Sequence, residues 1–317
     1  MSIKIIGTGA YVPEKVVTND DLAKLVDTSD EWIMQRVGVS QRRVSVDETA
    51  SDFAVKASLA AIKNAGIKPE ELDLIIAASV SAENVSPTVA GTVQKEIGAT
   101  CPAFDINSAC SGFLFALDTA VSFMARGTYE NILVIGAERL SKIVDWTDRS
   151  TCVIFGDGAG AAVITKGEGY LGSKLFTQGD DSVIKIPSFG GTSPFYTAEK
   201  PAPYIFMDGQ ETFKFAVNKI VNDIKELVSN CGYTLDDIDH VVTHQANIRI
   251  IDYASKRLKL SKDKFFVNIE KYGNTSSASV PIALAELDAS GKIKRGDLLV
   301  MSAFGGGLSS AACLIRW

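Results

Sequence analysis

The chain has 317 residues, of which 46% are hydrophobic and 22% charged, and its formal net charge is −6. This composition excludes a disordered chain and predicts a globular protein of one or two domains with a sizeable core. The acidic balance disfavours broad binding of nucleic acid, because such binding depends on a basic surface that neutralises phosphates.

The beginning of the sequence has no basic segment followed by a long apolar core. No later stretch approaches the roughly 18 apolar residues that a membrane span needs. We therefore expect a soluble, cytoplasmic protein. The five cysteines are scattered without a CxxC pair, and there are only two histidines. Neither a disulfide framework nor a metal site is predicted.

Short β-rich runs alternate with helical runs, which indicates an α/β protein with sheets covered by helices. A helix is predicted in the segment 50–66, with Thr49 or Ser51 as its N-cap and Gly66 just past its end. Strands are predicted at residues 3–7, 72–79, 102–107, 131–138 and 161–166.

The second half of the chain repeats the order of the first. ELDLIIAAS at 71–79 returns as DIDHVVTHQ at 237–245. NILVIGAERLS at 131–141 returns as DLLVMSAFGGG at 297–307, and FGDGAGAAVI at 155–164 as FGGGLSSAACLI at 304–315.

Two similar halves are therefore predicted to pack about a pseudo-twofold axis, with equivalent strand ends at one central site. The interval from Asp73 to Cys110 is close to that from Asp239 to Asn274, so Cys110 is expected to face Asn274. Residues 167–210 are rich in Gly, Ser and Pro and are predicted to be an elaboration that opens the second half.

Cys110 follows an apolar, β-prone run and precedes an apolar run with helical spacing. A free cysteine is commonly an inert, buried side chain. At a helix N-terminus, however, the macrodipole and unpaired N–H groups lower the pKa of a thiol from about 8.5. The small neighbours Ser108, Ala109, Ser111 and Gly112 leave space for a substrate, so a reactive thiol is a candidate.

The two histidines, His240 and His244, lie four residues apart on one predicted strand. His240 is near the start of the strand and is expected to make an ordinary hydrogen bond. His244 is at the carboxyl end, where ligand sites gather in such sheets, and is a candidate for catalysis, although a lone histidine is often structural.

Asn274 lies in a run of small polar residues that opens a helix, as Cys110 does. A Gly-Asn pair is ordinarily a turn, yet an amide donor beside a histidine could hold an enolate oxygen. The glycines of FGGG at 304–307 either pack the two repeats closely or bring backbone amides to a substrate.

Two basic features suggest an anionic ligand on this acidic chain. Trp32 lies near Arg36, Arg42 and Arg43, and a tryptophan beside guanidinium groups can stack a nucleobase and meet phosphate. Arg249, Lys256 and Arg257 share one helical face. A packed tryptophan with solvated arginines, and a merely solvated helix, are the alternatives.

The whole chain resembles the β-ketoacyl-[acyl-carrier-protein] synthase III family. The resemblance is carried by SACSGF at 108–113, HQAN at 244–247, GNTSSAS at 273–279, DWTDRSTCVIFGDGAGA at 145–161 and the terminal FGGG. It implies a thiolase-like fold with duplicated α/β halves in α-β-α-β-α layers. The expected division is 1–166, carrying the nucleophile, and 167–317, carrying His244 and Asn274.

The resemblance also implies a mechanism, the condensation that starts fatty-acid synthesis. Cys110 would take the acyl group of an acyl-CoA, and malonyl-acyl carrier protein would lose CO2 to an enolate stabilised by His244 and Asn274. The N–H groups of Cys110 and Gly306 would form the oxyanion hole. Phe304 would crowd the malonyl carboxylate, and a 3-oxoacyl-acyl carrier protein would result.

The same resemblance assigns the binding residues and the assembly. A homodimer without a cofactor is expected. Coenzyme A would be bound by Thr28, Trp32, Arg36, Arg149, Gly209, Gln210, Phe213 and Asn247. The acyl carrier protein would be bound by Gln245, Arg249, Lys256 and Arg257.

Two positions depart from the family pattern. Gln210 stands where an asparagine is common, which keeps the amide and changes its reach. Ser86 stands before Pro87, where acetyl-preferring relatives often carry a phenylalanine that closes the primer pocket from the partner subunit. A smaller residue predicts a larger pocket, and hence tolerance of primers longer or more branched than acetyl.

Two alternatives remain open at this stage. One is a secondary-metabolite ketosynthase or acyltransferase of the same fold, using the same three residues on a different acceptor. The other is a non-catalytic binder of acyl-CoA or carrier protein. Consumption of malonyl-acyl carrier protein with release of CO2 would distinguish the family's activity from the first alternative. A covalent acyl adduct would distinguish it from the second.

Overall fold

The computed structural model describes residues 2–187, 195 and 202–317. Within these residues the chain forms thirteen β-strands. They are β1 (Ser2–Tyr11), β2 (Val16–Thr18), β3 (Gln41–Arg43), β4 (Leu74–Ala78), β5 (Ala103–Ile106), β6 (Asn131–Glu138), β7 (Gly158–Gly167), β8 (Tyr170–Asp180), β9 (Ile184–Lys185), β10 (Phe206–Met207), β11 (His240–Thr243), β12 (Leu298–Gly305) and β13 (Gly307–Arg316).

Ten α-helices and six 3-10 turns connect the strands in the same residues. The helices are α1 (Asn19–Leu22), α2 (Asp30–Arg36), α3 (Ala50–Ala65), α4 (Val89–Ile97), α5 (Gly112–Met124), α6 (Arg149–Cys152), α7 (Gly209–Asn230), α8 (Ile248–Leu258), α9 (Ile269–Tyr272) and α10 (Ser279–Ala289). The 3-10 turns are Pro69–Glu71, Ala109–Ser111, Leu140–Lys142, Leu235–Asp237, Lys262–Lys264 and Ser276–Ala278.

The predicted elements of the first half are present. Thr49 is the N-cap of α3 and accepts a hydrogen bond from the Asp52 N–H, while Asp52 reaches back to the Thr49 N–H. Gly66 closes the helix in the left-handed conformation, with φ of 71°. The five predicted strands correspond to β1, β4, β5, β6 and β7. The bounds of β6 are as predicted, and those of the other four differ by a few residues, because hydrogen-bonded pairing with neighbouring strands decides where each strand stops.

The two main sheets have corresponding strand orders, which confirms the duplicated fold. The first is β1-β7-β6-β4-β5 and the second β8-β13-β12-β11. In each sheet the pairs at the β1 or β8 end are antiparallel: β1-β7 and β7-β6 in the first, β8-β13 and β13-β12 in the second. The pairs at the opposite end are parallel: β6-β4 and β4-β5 in the first, and β12-β11 in the second. A single parallel bridge from Val241 to Phe265 lies beside β11, where the first sheet carries β5.

The side chains of alternate strand residues produce the layers. Leu74 and Ile76 pack with α5 and α10 between the two sheets, whereas Ile75 and Ala77 pack against α3 and α4 on the outside. On the second sheet Val300 and Leu314 face α7 and α8. Because strand residues alternate between faces, both sheets are apolar on both sides, and the predicted α-β-α-β-α layers follow.

Residues 167–210 differ in part from the prediction. β8, at Tyr170–Asp180, takes the place in the second sheet that β1 takes in the first. It is therefore the first strand of the second half rather than an elaboration. Beyond it β9 pairs with β10, and most of residues 188–201 lies outside the described part. We propose a boundary between the halves at residues 166 and 167, where β7 ends.

No helix in the described ranges is long and apolar enough to cross a membrane.

Candidate active site

Two 3-10 turns, one from each half, meet where the central helices begin. Ala109–Ser111 leads into α5 and Ser276–Ala278 leads into α10, and the two turns contact each other. Ala109 and Ser276 adopt nearly the same left-handed conformation, with φ of 47° and 48°. The duplicated positions are therefore Cys110 and Ser277, and Asn107 and Asn274. Cys110 and Asn274 are not equivalent positions of the two halves, although they line the same cavity, as expected.

A cavity of about 110 Å³ brings the predicted catalytic residues together. Cys110 comes from the first half, and His244, Asn274 and Phe304 come from the second. The other lining residues are mostly apolar; they are Ile154, Phe155, Ile184, Ile205, Met207, Gly209, Thr212, Phe213, Ala246, Asn247, Ile250 and Gly305.

The environment of Cys110 differs from the prediction. Burial raises the pKa of this thiol to about 12. The expected lowering by the helix N-terminus is outweighed, since a helix terminus contributes typically 0.3–1 kcal/mol and one pKa unit is about 1.4 kcal/mol. The thiol is therefore neutral in the free site.

Gly305 allows the end of β12 to approach the nucleophile. A Cβ atom at this position would lie 2.6 Å from the Cys110 backbone nitrogen and 3.0 Å from its Cβ. Any side chain here would push the Cys110 turn away. Gly306, the next residue, faces the Ala109 side chain, so the backbone of both glycines lies beside the Cys110 turn.

His244 lies at the carboxyl end of β11 and is 1% exposed. Its ring packs edge-on against Phe304, with centroids 5.1 Å apart. Burial lowers the pKa of His244 to about 3, so the imidazole is neutral near pH 7. Nδ1 is buried and has no hydrogen-bond partner among the described residues.

His240 has the ordinary role predicted for it. Its Nε2 lies 3.1 Å from Oδ2 of Asp297, a residue near the start of β12.

Asn274 is fixed by its backbone to the segment before β7. Its backbone N–H donates to the backbone carbonyl oxygen of Ile154 at 2.9 Å, and its backbone carbonyl oxygen accepts from the Gly156 N–H at 3.0 Å. Oδ1 accepts from the Ser276 N–H at 2.8 Å. The amide Nδ2, which can only donate, is left for the cavity.

Arg42 supports this segment and is not a ligand-binding residue. It is fully buried, and its guanidinium donates to the oxygens of Val17 and Val153 and to Oδ1 of Asn19. Burial lowers the pKa of Arg42 to about 10. The suggestion that it meets phosphate is wrong, because the side chain does not reach solvent.

Arg43 donates to the oxygens of Pro13 and Glu14 and so holds a neighbouring loop.

Four of the residues expected to bind coenzyme A, Thr28, Trp32, Arg36 and Arg149, lie outside the lining of the cavity. The Arg149 guanidinium lies 5.3 Å from the Trp32 ring centroid and donates a hydrogen bond to the backbone carbonyl oxygen of Asp27 at 2.7 Å. Thr28 carries a buried Oγ1 without a described partner. Arg36 is exposed, and its oxygen accepts a hydrogen bond from Asn247 at 3.0 Å.

Gly209, Phe213 and Asn247 line the cavity itself. Gln210, in contrast, is exposed in the first turn of α7 and is absent from the lining. Helical spacing explains this: Gly209 and Phe213 are four residues apart and share a face, whereas Gln210 points away from it.

The predicted carrier-protein residues divide into two groups. Arg249, Lys256 and Arg257 are exposed on α8. Gln245 is 1% exposed; its Nε2 donates to Thr243 and Phe266, and its Oε1 accepts from Asn268 and Ile269. A direct contact with a carrier protein is therefore ruled out for Gln245, which instead ties β11 to the segment before α9.

Ser86 lies on an exposed loop between β4 and α4 and does not line the cavity of its own chain.

Sequence reasoning missed Glu138, a fully buried carboxyl group at the end of β6. It lies within hydrogen-bonding distance of the hydroxyls of Ser81 and Ser277 and the N–H of Val80. The Ser277 hydroxyl is also 2.9 Å from the Ala78 oxygen, and its one hydrogen cannot serve both. A proton on Glu138 satisfies both contacts, in agreement with burial, which raises the pKa of this group.

Glu138 could have been recognised in the sequence as an acidic residue at the end of an apolar strand. Residues that bind ligands gather at the carboxyl ends of strands in such sheets.

Among the described residues, no group of three or more His, Cys, Asp and Glu side chains could hold a metal ion.

Known proteins resemble this chain over its whole length. Family models described as 3-oxoacyl-[acyl-carrier-protein] synthase III and its C-terminal part match residues 104–179 and 228–317. The β-ketoacyl-[acyl-carrier-protein] synthase III of Clostridium acetobutylicum is 49% identical, covering 100% of this chain and 99% of that protein. That of Caldanaerobacter subterraneus is 50% identical, covering 99% and 97%. The crystal structure of 3-oxoacyl-[acyl-carrier-protein] synthase III from Aquifex aeolicus has a TM-score of 0.94 at 46% identity, covering 99% and 100%.

The layered duplicated fold and the cavity thus define a thiolase-fold condensing enzyme, which transfers acyl groups. The chain belongs to the β-ketoacyl-[acyl-carrier-protein] synthase III family. It is an enzyme that condenses an acyl-CoA with malonyl-acyl carrier protein at the start of fatty-acid synthesis. The relatives favour this activity over the two alternatives that the sequence left open.

Proposed function

We propose that Cys110 is the nucleophile of this condensation. The observation that carries the proposal is the cavity in which one cysteine meets a neutral histidine and an amide donor. The Cys110 sulfur attacks the thioester carbon of an acyl-CoA and loses its proton, and the departing sulfur of coenzyme A gains one. The acyl group is then held as a thioester, which divides a difficult transfer into two steps.

His244 and Asn274 serve the second step. Malonyl-acyl carrier protein loses CO2, and the electron pair of the broken bond forms an enolate. An N–H of the neutral His244 ring and Nδ2 of Asn274 donate to the enolate oxygen. Phe304 is buried against the His244 ring and narrows the space for the malonyl carboxylate. The enolate carbon then attacks the acyl group on Cys110, whose sulfur leaves.

The oxyanion hole is proposed at the N–H groups of Cys110 and Gly306. This assignment is supported by the glycine at 305, which lets the end of β12 approach the Cys110 turn. Donors fixed by backbone geometry need no reorganisation as charge develops on the thioester oxygen.

Coenzyme A is proposed to enter past Trp32 and Arg149, with its adenine between them. The Arg149 guanidinium lies 5.3 Å from the centroid of the Trp32 ring. An adenine stacked between the two groups would need a separation of about 7 Å between them, which is twice a normal contact distance. Arg149 must therefore move outward when adenine binds. Thr28 and Arg36 lie nearby, and Gly209, Phe213 and Asn247 would guide the pantetheine arm.

The carrier protein is proposed to dock on the exposed face of α8, through Arg249, Lys256 and Arg257. The chain as a whole is acidic, so a local basic face would attract an acidic partner and orient it near the cavity mouth.

A homodimer is proposed, and its support is the edge of the first sheet. In the described residues β5 pairs with β4 alone, and Phe104 and Ile106 are only partly buried. An unpaired edge with apolar side chains is a ready surface for a second copy. A partner loop carrying Ser86 could then complete the primer pocket. The absence of a cofactor and the cytoplasmic location remain predictions.

The experiment that tests the nucleophile is intact-protein mass spectrometry after incubation with acetyl-, butyryl-, isobutyryl- and hexanoyl-CoA. One acyl mass added to Cys110, located by peptide mapping, is expected. Cys110→Ser should lose a stable thioester adduct, whereas Cys231→Ser, a half-buried cysteine outside the cavity, should keep it. An adduct that persists in Cys110→Ser on any residue other than position 110 would overturn the proposed nucleophile.

A further inference from the structure

The turn that faces the nucleophile carries a buried hydroxyl without a partner. Ser276 is 2% exposed, and within the described residues no group makes a hydrogen bond to its Oγ. Leaving a buried polar group unpaired destabilises the folded chain. Since nearly all buried polar groups are paired, an exception of this kind calls for a physical reason.

The backbone of Ser276 is strained as well. Its φ of 48° lies in the left-handed region, which is unfavourable for a residue with a Cβ atom. Strain of this kind gathers where the surrounding structure imposes a functional geometry. The neighbouring Ser277 is held by Glu138 and Ala78, so the turn is anchored from the first half of the chain.

The turn that carries the unpartnered hydroxyl contacts the turn that carries Cys110. The contact of Ser276 with the Cys110 thiol lowers the pKa of that thiol, against the rise caused by burial. The geometry in the free site falls short of a hydrogen bond, as is common for catalytic contacts that tighten only when charge develops.

We propose that Ser276 is a further catalytic residue, whose hydroxyl donates a hydrogen bond to the Cys110 sulfur while that sulfur carries negative charge. The charge appears twice: when the thiol is deprotonated to attack the acyl-CoA, and when the acyl-enzyme C–S bond breaks. The Ser276 hydroxyl keeps its proton throughout. This inference rests on the proposed role of Cys110 as nucleophile.

The decisive variant is Ser276→Ala. Ala109 adopts almost the same φ in the equivalent turn of the first half, so alanine suits this backbone, and the thermal midpoint should change little. A hydrogen bond to a charged group contributes about 1.5–3 kcal/mol, which corresponds to an acylation rate about ten- to a hundred-fold slower. The rate is measured by rapid-quench mass spectrometry with acetyl-CoA.

A pH profile separates this role from a structural one. The titratable groups that face the thiol are His244 in the cavity and Glu138 behind the turn, and both are retained in Ser276→Ala. Alkylation of Cys110 by iodoacetamide should therefore require a higher pH in the variant. Ser122→Ala, an exposed serine of α5, is the matched control and should keep both the profile and the acylation rate.

Ser276→Gly provides a second variant, because glycine relieves the strain and also removes the hydroxyl. Both variants should be slow. If Ser276→Ala acylates at the unsubstituted rate, or if Ser276→Gly alone restores that rate, the hydroxyl has no such role. Failure of the unsubstituted chain to acylate Cys110 would instead refute the nucleophile, so the two failures are distinguishable.

Discussion

At the scale of single residues, burial sets the charge of the two titratable groups in the cavity. It raises the pKa of Cys110 to about 12 and lowers that of His244 to about 3. The free site therefore holds a neutral thiol and a neutral imidazole rather than an ion pair. Neutral His244 can donate to an enolate, and the thiol must be activated as the substrate binds.

The buried imidazole makes stability depend on pH. The unfolded chain binds a proton at His244 below about pH 6.5, whereas the folded chain does so only near pH 3. The stabilising contribution is thus complete above pH 6.5 and is lost as the pH falls toward 3. Between pH 7 and 4.5, the unsubstituted chain should lose about 2 kcal/mol more unfolding free energy than His244→Gln, which cannot titrate there.

Urea denaturation at several pH values measures this difference, and groups common to both chains cancel. Parallel stability curves for the two proteins would show that the pKa of His244 is the same in the folded and unfolded chains, and would contradict the lowered pKa of the buried ring.

At the scale of elements, α8 separates two tasks on its two faces. Ile250, Ile251, Ala254 and Leu258 pack on the core, and Arg249, Lys256 and Arg257 face solvent. The cap residue Asn247 accepts from the Arg249 N–H and donates to the Arg36 oxygen. The start of the helix, and hence its basic face, is fixed beside the cavity mouth.

Reversing one charge of that face tests its proposed partner. Lys256→Glu should raise KM for malonyl-acyl carrier protein about three- to ten-fold, in keeping with about 1 kcal/mol for an exposed charge. The effect should shrink at high salt. Acylation by acetyl-CoA should not change, because Lys256 does not line the cavity.

Lys63→Glu, an exposed residue in the last turn of α3, is the control for net charge. An equal rise in KM for both variants would mean that total charge, not the α8 face, governs carrier binding.

At the scale of the whole molecule, the primer range depends on how two copies meet. Ser86 does not line the cavity of its own chain, so we expect it to shape a primer pocket from a partner. The β5 edge supplies a surface where such a partner can pair.

Ser86→Phe tests this arrangement. A ring at the entrance should lower kcat/KM for isobutyryl- and hexanoyl-CoA at least ten-fold, while acetyl-CoA is used nearly as before, because steric exclusion acts on the larger acyl groups. Steady-state rates with each primer measure the effect, and Ser86→Ala should leave the range unchanged. An unaltered range in Ser86→Phe, or a monomer by light scattering, would contradict the proposal.

The sequence alone predicted the α/β class, the duplication and the three central residues. Each follows from a local pattern: alternating runs, a repeated strand order, and reactive side chains where a strand gives way to a helix. The N-cap Thr49 and the hydrogen bond of His240 were predicted from the same kind of local chemistry.

Tertiary structure decided which polar groups are buried, because burial depends on what the rest of the chain places around a residue. Arg42 and Gln245 look like surface ligands in the sequence, yet packing encloses both. Burial also reversed the expected shift in the pKa of Cys110. The contacts of Glu138 with Ser81 and Ser277, and that of Ser276 with Cys110, form only in the folded chain. In each contact the two residues are more than fifty positions apart in the sequence.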